Sequence, residues 1–512
     1  MTTTLKELEQ IAGAGASLLG PADAGDTEIK GIDLVSSLVS EGDLFAAVPG
    51  TRAHGAQFAA QTDASAILTD AAGVDLLQAV GETRPILQVN DVREVLGGIS
   101  AHLYGYPSRQ MTVIGITGTS GKTTTSYLLE AGLMAAGYKV GLIGTTGTRI
   151  AGHPVKTELT TPEAPTLQAL FRRMADEGVT HVVMEVSSHA LSLRRVAGVE
   201  FAVAGFSNLS QDHLDFHPTM EDYFQAKALL FAAESPMSAP RAVVCVDDDW
   251  GRRMSELAAD AITVATSERQ PGADIVAGPP SASPSGAQTF ELTVLGRGFT
   301  VRLPLPGQFN VANAALAIGL AARCGVDLER VIAGLGAVAV PGRMQRIDAG
   351  QGFVAVVDYA HKPQAIAEAL ASLREQVTGR VGIAFGAGGN RDHAKRALMG
   401  DNAVAGADLV IVTDDNPRDE EPAEIRSQVL AGARQRQCES RGDVEIRDVA
   451  DRRAAIEELV SWARPGDAVI VAGKGHETGQ LVAGVAHPFD DREELARALA
   501  LNGYGTKEKG NR

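Results

Sequence analysis

The chain has 512 residues, 45% hydrophobic and 21% charged, with a formal net charge of −17. That is too long for one hydrophobic core; at ~100–200 residues per domain it predicts three or four units in a multidomain enzyme. The acidic balance excludes a nucleic-acid backbone as the main partner, because such binding relies on Lys and Arg displacing counterions.

The opening MTTTLKELEQIAGAG lacks a basic segment followed by an apolar run. No later stretch reaches the ~18 apolar residues of a membrane span, so a cytoplasmic protein without membrane partners is expected. Three widely separated cysteines (Cys245, Cys324, Cys438) without CxxC spacing predict reduced packing residues. The first hundred residues mix short strands with turns, as in GDLFAAVPGTRAHGAQF (42–58), and the first unit ends near YGYPSRQ (104–110). The expected units are 1–109, 110–340 and 341–512.

The second unit opens with VIGITGTSGKTTTSYLLE (113–130), an apolar strand, a glycine loop and a helical pattern. That context suits a phosphate loop, in which backbone N–H groups and a helix N-terminus face phosphate oxygens. Thr117, Gly118, Thr119, Ser120, Gly121, Lys122, Thr123 and Thr124 supply it, with Lys122 adding a full charge and Thr123 a hydroxyl for Mg²⁺. The usual spelling has a further glycine five residues before the Gly-Lys pair, and Ile116 stands there instead.

Next come apolar strands THVVMEVSS (180–188) and FAVAGFSNLS (201–210), which with their helices predict a mainly parallel, helix-covered sheet. Residues 279–286, PPSASPSG, read as a flexible loop, and TFELTVLGRGFTVRLPLPG (289–307) as a hairpin turning at Gly-Arg-Gly. From about Pro341 four strand–helix units follow (FVAVVD, RVGIAFG, DLVIVTDD, DAVIVAGKG), predicting a Rossmann-like third unit. The fold class is thus α/β: a central phosphate-loop sheet, a small α/β N-terminal domain and a Rossmann-like C-terminal domain. By residue type alone, Glu185 can face a metal or serve in capping or a salt bridge, His213 can ligate a metal or sit in a structural hydrogen bond, and Lys227 is a surface or ion-pair lysine on a helix.

TGTSGKTTT, MEVSSHAL, FSNLSQDHLDFH, YFQAKALLF, QFNVANAALA, PGRMQRI, VDYAHKP, DDNPR and GKGHE occur in the order and spacing of the Mur ligases, which the chain resembles from about residue 25 to 495. The resemblance accounts for Ile116, since that family writes its loop TGTxGKT. It implies ATP-dependent amide formation with Mg²⁺, with Lys122, Lys227 and His213 in catalysis. Thr123, Glu185, His213 and Lys227 are implied at the metal, Lys227 carrying a CO₂-derived carbamate. Asn310, Asn313, Arg343, Asp358 and His361 match positions at the nucleotide.

The resemblance further implies that Thr160, Thr161, Ser187 and Arg195 hold UDP-N-acetylmuramoyl-L-alanyl-D-glutamate. Ser36 and His54 fall at its uridine end, although the usual Asp-Ser-Arg reads Val35-Ser36-Ser37. DNPR is the family's form for meso-diaminopimelate. Asp415 and Asn416 come from the same motif; Arg418 and Arg391 would clamp its far carboxylate while Glu477 and the Gly473 carbonyl accept from its ammonium, and L-lysine would leave the two buried arginines unpaired. Two departures stand out: DYAHTPD reads Asp358-Tyr359-Ala360-His361-Lys362-Pro363-Gln364, and GDRD reads Gly389-Asn390-Arg391-Asp392. The implied state is a monomer. The same ligase using L-lysine remains open, as does a phosphate-loop NTPase acting on a partner, although neither an NKxD nor an LSGGQ-like motif is present.

Overall fold

Short apolar runs between turns build the first sheet: Ser17–Leu19, Ile86–Gln88, Ala66–Thr69, Asp43–Ala46 and Gly31–Asp33 lie side by side, all parallel except the first. The computed structural model describes residues 3–505 except 51, 267–271, 284–285 and 441–442.

Among the described residues the second sheet has 12 strands, with Thr112–Thr117 between His181–Glu185 and Val203–Phe206, both parallel to it. Both faces of these strands are covered, which is why they read as unbroken apolar runs and not as alternating ones. Helices Lys122–Ala135, Gln308–Arg323 and Leu328–Leu335 bury Leu128, Leu316 and Val331 in one core. Helices Ala164–Asp176, Met220–Ala228 and Asp249–Leu257 bury Phe171, Tyr223 and Met254 in a second. Ile116 is paired in register with Glu185 and fully buried, so the strand runs on past the position of the usual first glycine. The chain first needs a glycine conformation at Gly118, with φ 146°, and again at Gly121, with φ 89°.

Two sequence readings change at the far edge. The hairpin Gln288–Val294/Arg297–Leu303 forms, but it turns at Leu295 and Gly296, both with positive φ, because Arg297 already pairs with Val294. Within the expected loop 279–286, Ser281–Ala282 forms a short strand against Gln288 and Thr289; residues 284–285 lie outside the described ones.

In the third sheet Val354–Asp358, Ala468–Ala472, Val381–Phe385, Leu409–Val412 and Glu445–Asp448 run parallel in that order. The polar motifs after Asp358, Phe385, Val412 and Ala472 therefore gather beyond the carboxyl ends of four strands, where open α/β sheets bind ligands. All three cysteines are free, and Cys438 is exposed where packing residues are expected. Among the described residues no helix is long and apolar enough to cross a membrane.

Candidate active site

The phosphate loop is held by its neighbours before any ligand is considered. Asn208 accepts from the Ser120 N–H (3.0 Å) and donates to the Ser120 carbonyl (3.1 Å), and the Ser207 hydroxyl donates to that same carbonyl (2.6 Å). A Cβ on Gly118 would stand 2.0 Å from Ser207 Oγ and 3.1 Å from the Asn208 carbonyl oxygen. Gly118→Ala is therefore expected to cost ~1–3 kcal/mol of stability, the usual scale of local backbone strain. Nucleotide affinity should fall at least about tenfold, since the loop's N–H groups lose their aim; thermal melting and titration with ADP check both. Asn313 lies against Gly121, accepting from Thr125 Oγ1 at 3.4 Å and donating to Asn310, which donates to the Pro306 carbonyl.

Three lysine side chains converge on two loop carbonyls. Lys122 donates to Gly118 O (2.8 Å) and Thr119 O (3.1 Å), Lys227 to Gly118 O (2.9 Å), and Lys362 to Thr119 O (3.1 Å). Loss of water, with Lys362 nearby, pushes Lys122 down to about 8. Lys227 is buried above the Tyr223 ring, 4.5 Å from its centroid, and burial together with Lys122 and Lys362 holds its amine well below the ordinary lysine range.

Glu185, at the end of its strand, accepts from Thr123 Oγ1 (3.1 Å) and from the N–H and hydroxyl of Thr145, each at 2.9 Å. Its backbone carbonyl accepts from Thr161, whose hydroxyl also accepts from the Ser187 N–H. Thr160 Oγ1 lies 3.2 Å from Thr145 Oγ1, and Arg195 meets Glu163 at 2.8 Å. Thr160, Thr161, Ser187 and Arg195 thus form one cluster beside Glu185.

Ser36 and His54 lie elsewhere. Ser36 starts a short 3₁₀ turn, Ser36–Leu38. Both ring nitrogens of His54 are occupied, one accepting from the Ala56 N–H as a helix cap and the other 3.0 Å from Asp70.

His213 holds φ 55°, a conformation that non-glycine residues adopt chiefly at constrained sites. Its Nε2 is 3.1 Å from Asp212, and burial keeps the ring neutral, with its value near 2. A neutral imidazole can ligate a metal. Among the described residues no three His, Cys, Asp or Glu side chains stand close enough to hold an ion. The donors fit Mg²⁺ only in part, since Thr123 and Glu185 supply the oxygens it prefers, whereas Lys227 as an amine supplies none.

The C-terminal domain reaches across to this site. Arg343 lies over the Tyr359 ring at 4.1 Å and donates to Thr123 Oγ1 at 3.3 Å. Asp358 accepts from the Met344 and Ala360 N–H groups, so it shapes the turn around Arg343, while His361 Nδ1 is 2.7 Å from the Tyr359 carbonyl.

In the strand-end loops, Asp415 lies 3.2 Å from Lys474; burial opposes its charge, but Lys474 and Arg452 hold its carboxyl below the usual range. Asn416 donates to Glu477 (2.8 Å) and accepts from Lys474 (3.0 Å). Burial and then Asp415 push Glu477 up. Gly473 (φ 116°) packs closely on Asp415, where a Cβ would be 3.0 Å from Oδ2. Arg418, with φ 54°, is pinned through its N–H to Leu481 O and donates from Nη1 to Gly389 O at 2.7 Å.

Arg391 does not share that burial. Its side chain is 51% exposed and 3.8 Å from Asp215, so the expectation of two buried arginines is corrected to one half-buried arginine with an exposed partner at the rim. Lys474, fully buried at the centre of the Asp415–Asn416–Glu477 group, escaped the sequence reading although it lies inside GKGHE. So did Asp212 and Lys362, whose pairing joins segments 150 residues apart in sequence.

Residues 28–104 match the Mur ligase family catalytic domain, 116–321 the Mur ligase middle domain, and 342–475 the Mur ligase glutamate ligase domain. The chain is 62% identical to the UDP-N-acetylmuramoyl-L-alanyl-D-glutamate–2,6-diaminopimelate ligase of Corynebacterium glutamicum, over 94% of this chain and 93% of that protein. It is 48% identical to the ligase of the same name from Streptomyces avermitilis, over 93% of each. A solved structure of a UDP-N-acetylmuramoyl-L-alanyl-D-glutamate–2,6-diaminopimelate ligase superposes with a TM-score of 0.67 at 32% identity, covering 98% of this chain and all of that one. On this evidence the chain belongs to the Mur ligase family.

Proposed function

We propose that the protein is an ATP-dependent ligase that joins meso-diaminopimelate to UDP-N-acetylmuramoyl-L-alanyl-D-glutamate in peptidoglycan precursor synthesis, acting as a cytoplasmic monomer of three units, 1–109, 110–340 and 341–512. The observation that carries this reading is the pairing of a phosphate loop and acceptor cluster in one domain with a second cluster in the next. That second cluster holds a cation, Arg418, and two carboxylates, Asp415 and Glu477. A zwitterionic amino-acid end needs such a mixed set, whereas a neutral tail does not.

The acceptor's γ-carboxylate, oriented from the Thr160–Thr161–Ser187–Arg195 side, attacks the terminal phosphorus of ATP, and the bond to the ADP oxygen breaks. Lys122 and the loop N–H groups offset charge on the transferring oxygens. The amine then attacks the acyl phosphate carbon and phosphate leaves, giving an amide, ADP and phosphate. Thr123, Glu185, His213 and a carbamylated Lys227 would hold Mg²⁺, which when bound neutralises phosphate charge. Carbamylation supplies the oxygens that the bare amine lacks, and the depressed basicity of Lys227 favours the neutral amine that reacts with CO₂. Because an acyl phosphate hydrolyses readily, the contacts from Arg343 and Lys362 to the loop support closure as the means of excluding water.

Phosphate release from ATP and Mg²⁺ with the muramoyl dipeptide tests the proposal when diaminopimelate, L-lysine and no amine are compared. Release only with diaminopimelate is expected. Release with lysine alone would keep the ligase and reject the role given to Arg418, while release regardless of amine would favour an NTPase.

A further inference from the structure

Lys362 occupies the residue before the helix Pro363–Gln376, where the family's frequent threonine would be placed to cap the helix N-terminus; its side chain makes no such cap. A missing cap weakens the start of the helix, and burying an ammonium is costly unless it is paired. What Lys362 gains lies in the other domain: its Nζ is 2.8 Å from Asp212 Oδ2 and donates to the carbonyl of Thr119 at 3.1 Å. Both partners of the ion pair are buried, at 7% and 5% exposure.

The acceptor matters as much as the ion pair. Thr119 O also accepts from Lys122, so one loop carbonyl is shared by an ammonium of its own domain and one delivered from the next. Two cations on one carbonyl repel, and an anion between them relieves that repulsion. Asp212 is next to His213 and is flanked on the domain-3 side by Lys362, with Lys395 and His361 also close enough to act on its charge. Other contacts across this seam are longer: Arg343 to Thr123 at 3.3 Å, Gln211 to Asp392 at 3.5 Å and Arg391 to Asp215 at 3.8 Å.

We propose that Lys362 is a positioning residue that latches the C-terminal domain onto the phosphate loop through Asp212 and Thr119, so that the closed arrangement itself brings a second ammonium to the transferring phosphate. The latch replaces a helix cap with an interdomain ion pair. It acts after nucleotide has bound to the central domain, and its absence is felt in turnover more than in nucleotide affinity. This rests on the ligase reading above for its kinetic part, but closure can be read without acceptor or amine.

The test compares the full-length protein with Lys362→Thr and Lys362→Arg. Small-angle scattering of the protein with ADP but no acceptor should show a larger radius of gyration for Lys362→Thr and an unchanged one for Lys362→Arg. Direct ADP titration should stay within about twofold for both, while kcat falls at least about tenfold in Lys362→Thr and recovers to within about threefold in Lys362→Arg. The threonine restores a capping side chain, so its melting temperature should not fall, which separates the latch from a folding defect. Asp212→Asn should open the protein equally, and the double variant no further than either single one. An unchanged radius and kcat in Lys362→Thr, or a loss confined to ADP affinity, would overturn the proposal. If the parent protein releases no phosphate with diaminopimelate yet Lys362→Thr still opens it, the ligase reading falls and the latch stands.

Discussion

Lys227→Ala is expected to lower kcat by at least about a thousandfold while leaving the melting temperature within a few degrees. The side chain is buried beside the phosphate loop, and its hydrogen-bond partners are the Gly118 carbonyl and, at 3.5 Å, the Thr117 hydroxyl. Neither partner is a charge, so as an amine it contributes little binding energy that an alanine would forfeit, and truncating it removes a desolvated amine rather than an ion pair. Its placement is costly: Lys122 and Lys362 stand close enough to depress its basicity further after burial has done so. A buried lysine beside two others gains little stability from its place, which is why a chemical role is proposed for it.

Two accompanying measurements separate the carbamate from a plain structural lysine. Activity of the parent protein should fall when CO₂ is stripped from the buffer and return with bicarbonate, and ¹³C-bicarbonate should label one lysine in the parent but not in the variant. Lys227→Ala turnover should recover in part with a short carboxylic acid that can occupy the space of the missing group. Full activity in Lys227→Ala would reject any role for the residue, and parent activity indifferent to CO₂ would reject the carbamate.

How far the sequence discloses this site depends on the distance over which each residue is satisfied. Strand Thr112–Thr117 and its loop are legible because apolar period, glycines and Lys122 lie within a dozen residues. The four strands of the third domain are legible for the same reason, whereas Glu445–Asp448 alternates charge and apolar groups at the sheet edge and carries no apolar run. His54 reads as a ligand only through the family resemblance, and only the fold shows its ring capping a helix and meeting Asp70. Lys474 and Lys362 were invisible as functional groups because their partners come from other strand ends or another domain. Burial decided Arg391 against the sequence reading, as GNRD places the arginine on a loop whose side chain reaches the rim.

Arg418→Ala is expected to cost ~2–5 kcal/mol in kcat/KM for diaminopimelate, the range for leaving a partly buried charge unpaired, which is roughly a 30- to 5,000-fold loss. The geometry favours the larger part of this range. The backbone of Arg418 is fixed at φ 54° by pairing with the segment Gly479–Val482, and its Nη1 is anchored to the Gly389 carbonyl. The guanidinium therefore reaches a ligand already oriented, with little rotamer entropy left to lose. Burial and the nearby Arg391 both work against its charge, so an incoming carboxylate relieves two unfavourable terms at once. Arg391, exposed at the rim, has water as an alternative partner, and Arg391→Ala should cost no more than about a third as much in free energy. Arg418→Lys should recover only part of the loss, because an ammonium cannot present two parallel N–H groups. The decisive comparison is selectivity: with the clamp removed, the ratio of diaminopimelate to L-lysine turnover should fall towards one, because lysine never engaged Arg418. A variant that loses both substrates equally would place Arg418 in holding the Gly389 loop, and one that keeps full diaminopimelate kcat/KM would remove it from the amine site.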